Sequence, residues 1–277
     1  SVLIWHYQNF LIGGMTNYPF VAADQPLAWL FFPFYTIGNH GVELFWCISG
    51  FIFTWKYTDI IHDRRISFGR FAWYRFSRLY PLHFVTLLAV AALNGAYFAK
   101  HGTYFLVQIN DLKHFLLNLA FASYWGFQAD KSFNTPVWSV SVEILVYIFF
   151  FWMARARRGG FWSDIAIVLA TAILYPLLRR YAHIKLEVLG ATMYFYIGAA
   201  VARLHTAMQG WGPEARRSAL WISAGVTLIG VGLVAAQILK IAGSSATAVR
   251  TEDSSSATRS EERRVGKECR SRWSPDH

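Results

Sequence analysis

Apolar stretches close to the roughly 20 residues needed to span a bilayer's hydrocarbon core recur along this chain, separated by short basic or Gly/Pro-containing turns. About eight can be drawn, over residues 1–13, 33–57, 76–99, 113–126, 136–154, 161–178, 186–206 and 217–242. The pattern predicts an all-α fold, a polytopic transmembrane helix bundle. The 113–126 segment is short for a crossing, so an interfacial or re-entrant helix is expected there. Within 136–154 the apolar pattern is broken on one side only. At helical spacing Ser139, Glu143 and Tyr147 fall at i, i+4 and i+8, so one face carries hydroxyl, carboxylate and phenol while the others carry Val, Ile, Leu and Phe. An ionisable group in such a helix is costly in lipid and normally faces a bundle interior or wet cavity, which makes Glu143 a functional-site candidate.

Composition agrees with this reading: of 277 residues 55% are hydrophobic, 18% aromatic and only 15% charged, with a mean hydropathy of +0.31. That is far from an ordinary soluble domain. The net charge of +10 is spread over loops and forms no nucleic-acid-like stripe. The 56–78 stretch, read as a loop, carries Lys56, Arg64, Arg65, Arg70, Arg75 and Arg78, and the turn after residue 154 carries Arg155, Arg157 and Arg158. The positive-inside rule puts both in the cytoplasm, which requires that 113–126 not cross and that the Glu143 helix start outside. Arg179, Arg180 and Lys185 then fall outside, against the rule. Cys47 lies in a span and Cys269 in the tail, so neither a disulfide framework nor zinc spacing exists.

Both ends depart from the pattern. Ser1 opens inside an apolar stretch, which reads as an amino-terminal truncation, and from Ser244 the chain turns to Ser, Thr, Glu and Arg without hydrophobic period. Residues 1–243 are expected to form the membrane domain and 244–277 a disordered polar tail. The run from Ser260 to His277 resembles one found at the ends of unrelated metagenomic reading frames and reads as translated vector or adapter.

Three further groups carry candidate chemistry. His6 lies in the first apolar segment, where an imidazole serves either as a general base or as a packed, hydrogen-bonded core residue. Arg75 and Arg78, at i and i+3, can clamp phosphates bidentately or snorkel to the interface with their aromatic neighbours. Glu43 opens a Gly-punctuated span from Gly41 to Gly50, as a second site carboxylate or as a helix-end group balanced by the macrodipole; Gly41 and Gly50 allow close helix approach. The many aromatics suit sugar stacking and interfacial belts alike.

Taken in order, His6, the Gly41–Phe51 stretch, the Arg75–His83 stretch and Trp138-Ser139 followed by Glu143 resemble the acyltransferase 3 family of membrane O-acyltransferases. The resemblance implies a bundle of about ten transmembrane helices, seven or eight of them present, in a bacterial inner membrane. It implies transfer of an acyl group, usually acetyl, from cytoplasmic acetyl-CoA or another acyl-CoA to a hydroxyl of an extracytoplasmic, cell-surface glycan. No metal and no nucleic acid enter that chemistry. By the same resemblance His6 and Glu143 are catalytic, Arg75 and Arg78 hold the donor's phosphates, and Glu43, Trp138, Ser139 and Tyr147 are substrate-site candidates. The family also pairs the histidine with an earlier cation, which would fall before Ser1, and carries further spans after residue 242. The competing reading from another class is a proton-coupled transporter or flippase of a glycan-related substrate, with His6 and Glu143 as a proton relay. It gives the two arginines no role. A purely structural subunit would leave the ionisable groups without a use.

Overall fold

The computed structural model describes residues 2–12, 25–105, 107–128, 130–156, 158–181, 186–236 and 238–240. Ser1, Arg157, Lys185 and the polar tail from Ser244 lie outside the described residues. The chain divides into two compact units, Ser1–Gly212 and Pro213–His277. In the first, α1 (Val2–Ile12), α2 (Ala28–Ile37), α3 (Gly41–His62), α4 (Phe68–His101), α5 (Leu112–Leu119), α6 (Trp138–Arg155), α7 (Phe161–Tyr181) and α8 (Glu187–Met208) follow one another, with single 3-10 turns at Gly38–His40 and Thr135–Val137. The second unit contains the helix Pro213–Lys240, α9. No strand occurs among the described residues. The protein is an all-α, multi-pass membrane helix bundle.

Among the described residues four helices are long and apolar enough to cross a membrane: α4, Thr135–Arg155, α7 and α9. α3 and α8 have the length, at 22 residues each, but α3 carries Glu43, Lys56 and Asp59, and α8 is rich in Gly, Ala and Thr. Their position explains this. α3 and α8 make the most extensive helix pair of the first unit, with α6 against both and α7 against α8, so on those faces packing matters more than apolarity. Two glycines set their separation. A Cβ on Gly50 would lie 1.8 Å from the Phe195 carbonyl oxygen, and one on Gly198 would lie 1.9 Å from that of Cys47. Each glycine thus receives the backbone of the opposite helix. The core continues from there through Phe53, Tyr57 and Ile61 of α3, Val142, Val146, Phe150 and Phe151 of α6, Phe71 of α4 and Phe195 of α8.

Three details differ from the sequence reading. The apolar run 33–57 is broken at Gly38–His40 into α2 and α3. The 56–78 stretch is mostly not a loop: α3 continues to His62 and α4 begins at Phe68, capped by Ser67 Oγ, which accepts from the Arg70 amide at 3.3 Å. Lys56, Arg70, Arg75 and Arg78 are therefore helical, and only 63–67 connects. α5 is eight residues long, as expected of a segment that does not cross.

The connection around α5 folds back against the middle of α4. The buried His83 Nε2 meets the Asn118 carbonyl oxygen at 2.7 Å, Asn118 Nδ2 donates to Ser132 Oγ at 3.0 Å, and Asn134 Nδ2 donates to Thr86 Oγ1 at 2.9 Å. The turns after α3 and α6 meet at one end of the unit. There Arg155 donates to the Ile61 carbonyl at 3.3 Å, and His62, Arg64 and Arg155 line a polar cavity of about 320 Å3. Two basic turns sharing one face is what the positive-inside rule requires.

Candidate active site

Glu143 is 1% exposed and lies on the face of α6 that turns toward α3 and α4. The hydroxyls of Ser49 on α3 and Tyr147 on α6 bracket its carboxylate, and the Arg75 guanidinium of α4 acts on it electrostatically. Its Oε1 has no hydrogen-bond partner among the described residues. Leaving a buried acceptor without a protein partner costs on the order of 1–3 kcal/mol, more when it is charged. Such a cost is tolerated where the group has something to bind.

Arg75 is held by an aromatic frame. Its Nη2 donates to Tyr57 Oη at 2.8 Å, and its guanidinium carbon stands 5.0 Å from the Phe53 ring centre and 5.4 Å from that of Tyr57. Phe53 in turn stacks on Tyr147, with centroids 4.3 Å apart and planes 11° from parallel. One aromatic side chain thus contacts both the arginine and the phenol beside Glu143. The Nε of Arg75 is buried, with no hydrogen-bond partner among the described residues. The side chain of Arg75 also belongs to the wall of an apolar hollow of about 170 Å3 between α4 and α6, whose other walls include Phe71, Phe76, Phe121, Ile144 and Ile148.

The sequence-predicted residues separate into groups. Glu143, Tyr147 and Arg75 come together, joined by Ser49 and Tyr57. Arg78, three residues after Arg75 on α4, is exposed, while Arg75 is part-buried and reaches Tyr57. Ser139 begins the same face as Glu143 but hydrogen-bonds back to the Pro136 carbonyl at 3.4 Å. Trp138 stands edge-on to Trp46, centroids 5.8 Å apart, and against Tyr124 at 5.5 Å. Glu43 accepts from or pairs with His40 Nδ1 at 2.8 Å and lies beside the Tyr194 hydroxyl, at the end of the unit where α6 begins. Trp46 Nε1 fixes that end by donating to the Ser139 carbonyl at 3.4 Å. His6 belongs to another neighbourhood: half-buried, it meets Trp5 edge-on at 4.9 Å and lies in the field of Lys131, on a helix that packs against α2 and the Gly38–His40 turn.

Sequence reasoning missed Ser49 and Tyr57 as site residues, and it missed a buried ion pair. Asp164 of α7 is fully buried, with Oδ2 accepting from Arg203 Nε of α8 at 2.6 Å. The signal was present, since each is an ionisable residue within an apolar segment. Ser141, also unmentioned, places its hydroxyl between the carbonyls of Phe121 and Ser123 and so ties the α5 connection to α6.

Comparison with known proteins adds the following. The family model for the acyltransferase domain, acyltransferase 3, matches residues 1–255. A curated relative, acyltransferase MdmB of Streptomyces mycarofaciens, is 28% identical over 160 residues, or 56% of this chain. The match takes in 39% of that relative, so the chain spans well under half of its length. No solved structure matches the chain significantly.

Proposed function

The chain belongs to the acyltransferase 3 family, and from that premise we propose an integral membrane O-acyltransferase that moves an acyl group, acetyl first among them, from cytoplasmic acyl-CoA to a hydroxyl of an extracytoplasmic carbohydrate. Its place is the cytoplasmic membrane of a bacterium. The observation that carries this reading is the enclosed Glu143 carboxylate, with an open Oε1, beside an arginine framed by Phe53 and Tyr57.

Exposed Arg78 stands near the start of α4, on the side of the basic turns, and receives the coenzyme's phosphates as a point of electrostatic capture. Arg75 reaches inward and meets the thioester end. His6 takes the proton of the acceptor hydroxyl, with Glu143 as the second catalytic group. The acceptor oxygen attacks the thioester carbonyl, forming the C–O bond as the C–S bond breaks. The coenzyme leaves as thiolate and recovers the proton from the imidazolium, so product ester and free thiol balance the reactants.

The test is transfer of radiolabelled acetyl from acetyl-CoA to endogenous glycans in membranes carrying the full-length protein. The account predicts label in glycan for wild type and a fall of about 10²–10⁴-fold for His6→Ala and Glu143→Gln at equal expression. Arg78→Ala is expected to raise the donor KM and leave kcat nearly unchanged. Label in wild type that survives both His6→Ala and Glu143→Gln would refute the assignment.

A further inference from the structure

We infer that the polar cavity where α3 and α6 end is an anion site, with Arg64, Arg155 and His62 holding the phosphate of a phosphate ester. It lies apart from the Glu143 carboxylate, since the twelve residues of α6 from Glu143 to Arg155 rise about 18 Å. The turn that closes α3 supplies the first arginine. The Arg65 amide donates to the Ile60 carbonyl at 2.9 Å and the Arg64 amide to that of Ile61 at 3.1 Å, the pattern that ends a helix on a left-handed residue, most often glycine. Here that residue is Arg64, at φ 60°, a conformation that L side chains disfavour. Glycine would close the turn with less strain, so the turn itself does not call for an arginine. The second arginine comes from α6: Arg155 Nη1 donates to the same Ile61 carbonyl at 3.3 Å, which anchors its guanidinium at the Arg64 turn.

The C-terminal dipoles of α3 and α6 attract cations to this end, and Arg155 answers them through its bond to the carbonyl. Arg64 has no side-chain hydrogen bond or ion pair among the described residues, so its charge is left for a ligand. The cavity walls expose mainly polar atoms. Two guanidiniums and an imidazole on one cavity offer forked N–H donors, which match the oxygens of a phosphate. Asp63 also lines the cavity, and its Oδ2 accepts from Arg65 Nη2 at 3.0 Å. That contact offsets the carboxylate's charge and leaves an acceptor for a hydroxyl. At about 320 Å3 the space exceeds what a phosphate needs and admits part of the group that carries it. The chemistry selected is a phosphate ester next to a free hydroxyl. At the basic face of a membrane protein it has two sources: the glycerol headgroup of an anionic lipid and the ribose 3′-phosphate of a coenzyme. The site therefore does not depend on the donor reading given above.

Two measurements on the full-length protein test the site and separate its sources. One is calorimetric binding of adenosine 3′,5′-bisphosphate to protein in phosphatidylcholine nanodiscs. The other is the ratio of phosphatidylglycerol to phosphatidylcholine that the protein retains when extracted from an equimolar bilayer. Wild type is expected to respond in at least one of them, and Arg64→Gly and Arg155→Gln should each reduce that response by about tenfold or more, the worth of a charge-assisted hydrogen bond. Arg64→Gly should melt at or above wild type because glycine suits the turn, so its loss of binding is not a loss of fold. Arg70→Ala removes an exposed arginine of the same end that lies outside the cavity, bonded to Tyr74 Oη at 2.9 Å, and should leave both readouts within about twofold. Loss of bisphosphate binding in Arg64→Gly identifies the coenzyme as a source, and loss of phosphatidylglycerol enrichment identifies the lipid. Arg64→Gly matching wild type in both readouts, or Arg70→Ala weakening them as much, would overturn the site. Neither result bears on Glu143, whose test is acetyl transfer.

Discussion

Adding a single methyl group at Gly198 should push α3 and α8 apart. A carbon needs about 3.3 Å from a carbonyl oxygen, and a Cβ at Gly198 would stand 1.9 Å from that of Cys47, so the helices must part by about 1.4 Å. The Phe51 amide nitrogen, at 2.9 Å, blocks the neighbouring direction. Both obstacles are backbone, so no side chain can rotate away. Overpacking typically costs about 1–3 kcal/mol, and a clash with backbone alone belongs at the upper end. For a domain of this size about 3 kcal/mol corresponds to a fall of roughly 6–12 °C in melting temperature. The assay is the temperature at which half the detergent-solubilised protein is retained as a monodisperse peak. Gly50→Ala meets the Phe195 carbonyl at 1.8 Å and should behave alike. Gly190→Ala, on the same helix as Gly198 with nothing within 4 Å of its Cβ, is the control and should be neutral or stabilising by up to about 1 kcal/mol. A Gly198→Ala protein melting with wild type would refute the close-packed α3–α8 crossing.

Other expectations follow from the same geometry. Arg203→Ala leaves Asp164 buried and unpaired, at a cost of about 3–5 kcal/mol, and Asp164→Asn combined with Arg203→Met should cost much less than Arg203→Ala alone; melting of the variants checks this. Tyr147→Phe keeps the stack on Phe53 but removes the phenol from Glu143, so kcat should fall about 10–100-fold with melting temperature unchanged. Asp111 caps α5 by accepting from the His114 amide at 2.8 Å and meets its ring at 2.6 Å, which holds the Asp111 carboxyl below the usual carboxylate range. Its lowered folded-state pKa means the cap is fully effective above the unfolded value of about 3.9 and is lost as pH falls through the lower folded value. Hydrogen exchange over 112–119 should accordingly rise at acidic pH in wild type and be fast at neutral pH in Asp111→Ala.

The helices and their order were legible in the chain because membrane segments announce themselves by length and apolarity. Even the weakness of 113–126 was informative, since α5 proved too short to cross. Boundaries failed where side chains at the membrane edge mix charge with aromatics. Arg70, Arg75 and Arg78 read as loop residues, yet Ser67 starts α4 before them. Arg75 and Arg78 lie about 60° apart around α4, with Arg75 bonded to Tyr57 and Arg78 exposed, a difference in surroundings that spacing alone does not record. The i, i+4 spacing does set Glu143 and Tyr147 side by side, while the Ser139 hydroxyl donates back to the Pro136 carbonyl. Ser49, 94 positions before Glu143, joins the site only through the α3–α6 packing, which no local pattern records.

The central claim is that His6 and Glu143 serve one reaction although they sit on helices with different neighbours. Acetyl-transfer rates from His6→Ala, Glu143→Gln and the double variant, at matched expression of the full-length protein, test it most directly. If the two act as one unit, the double variant is no slower than the slower single variant, because the second loss removes nothing further. Rate losses that multiply in the double variant would mean that each contributes independently, and would contradict the account.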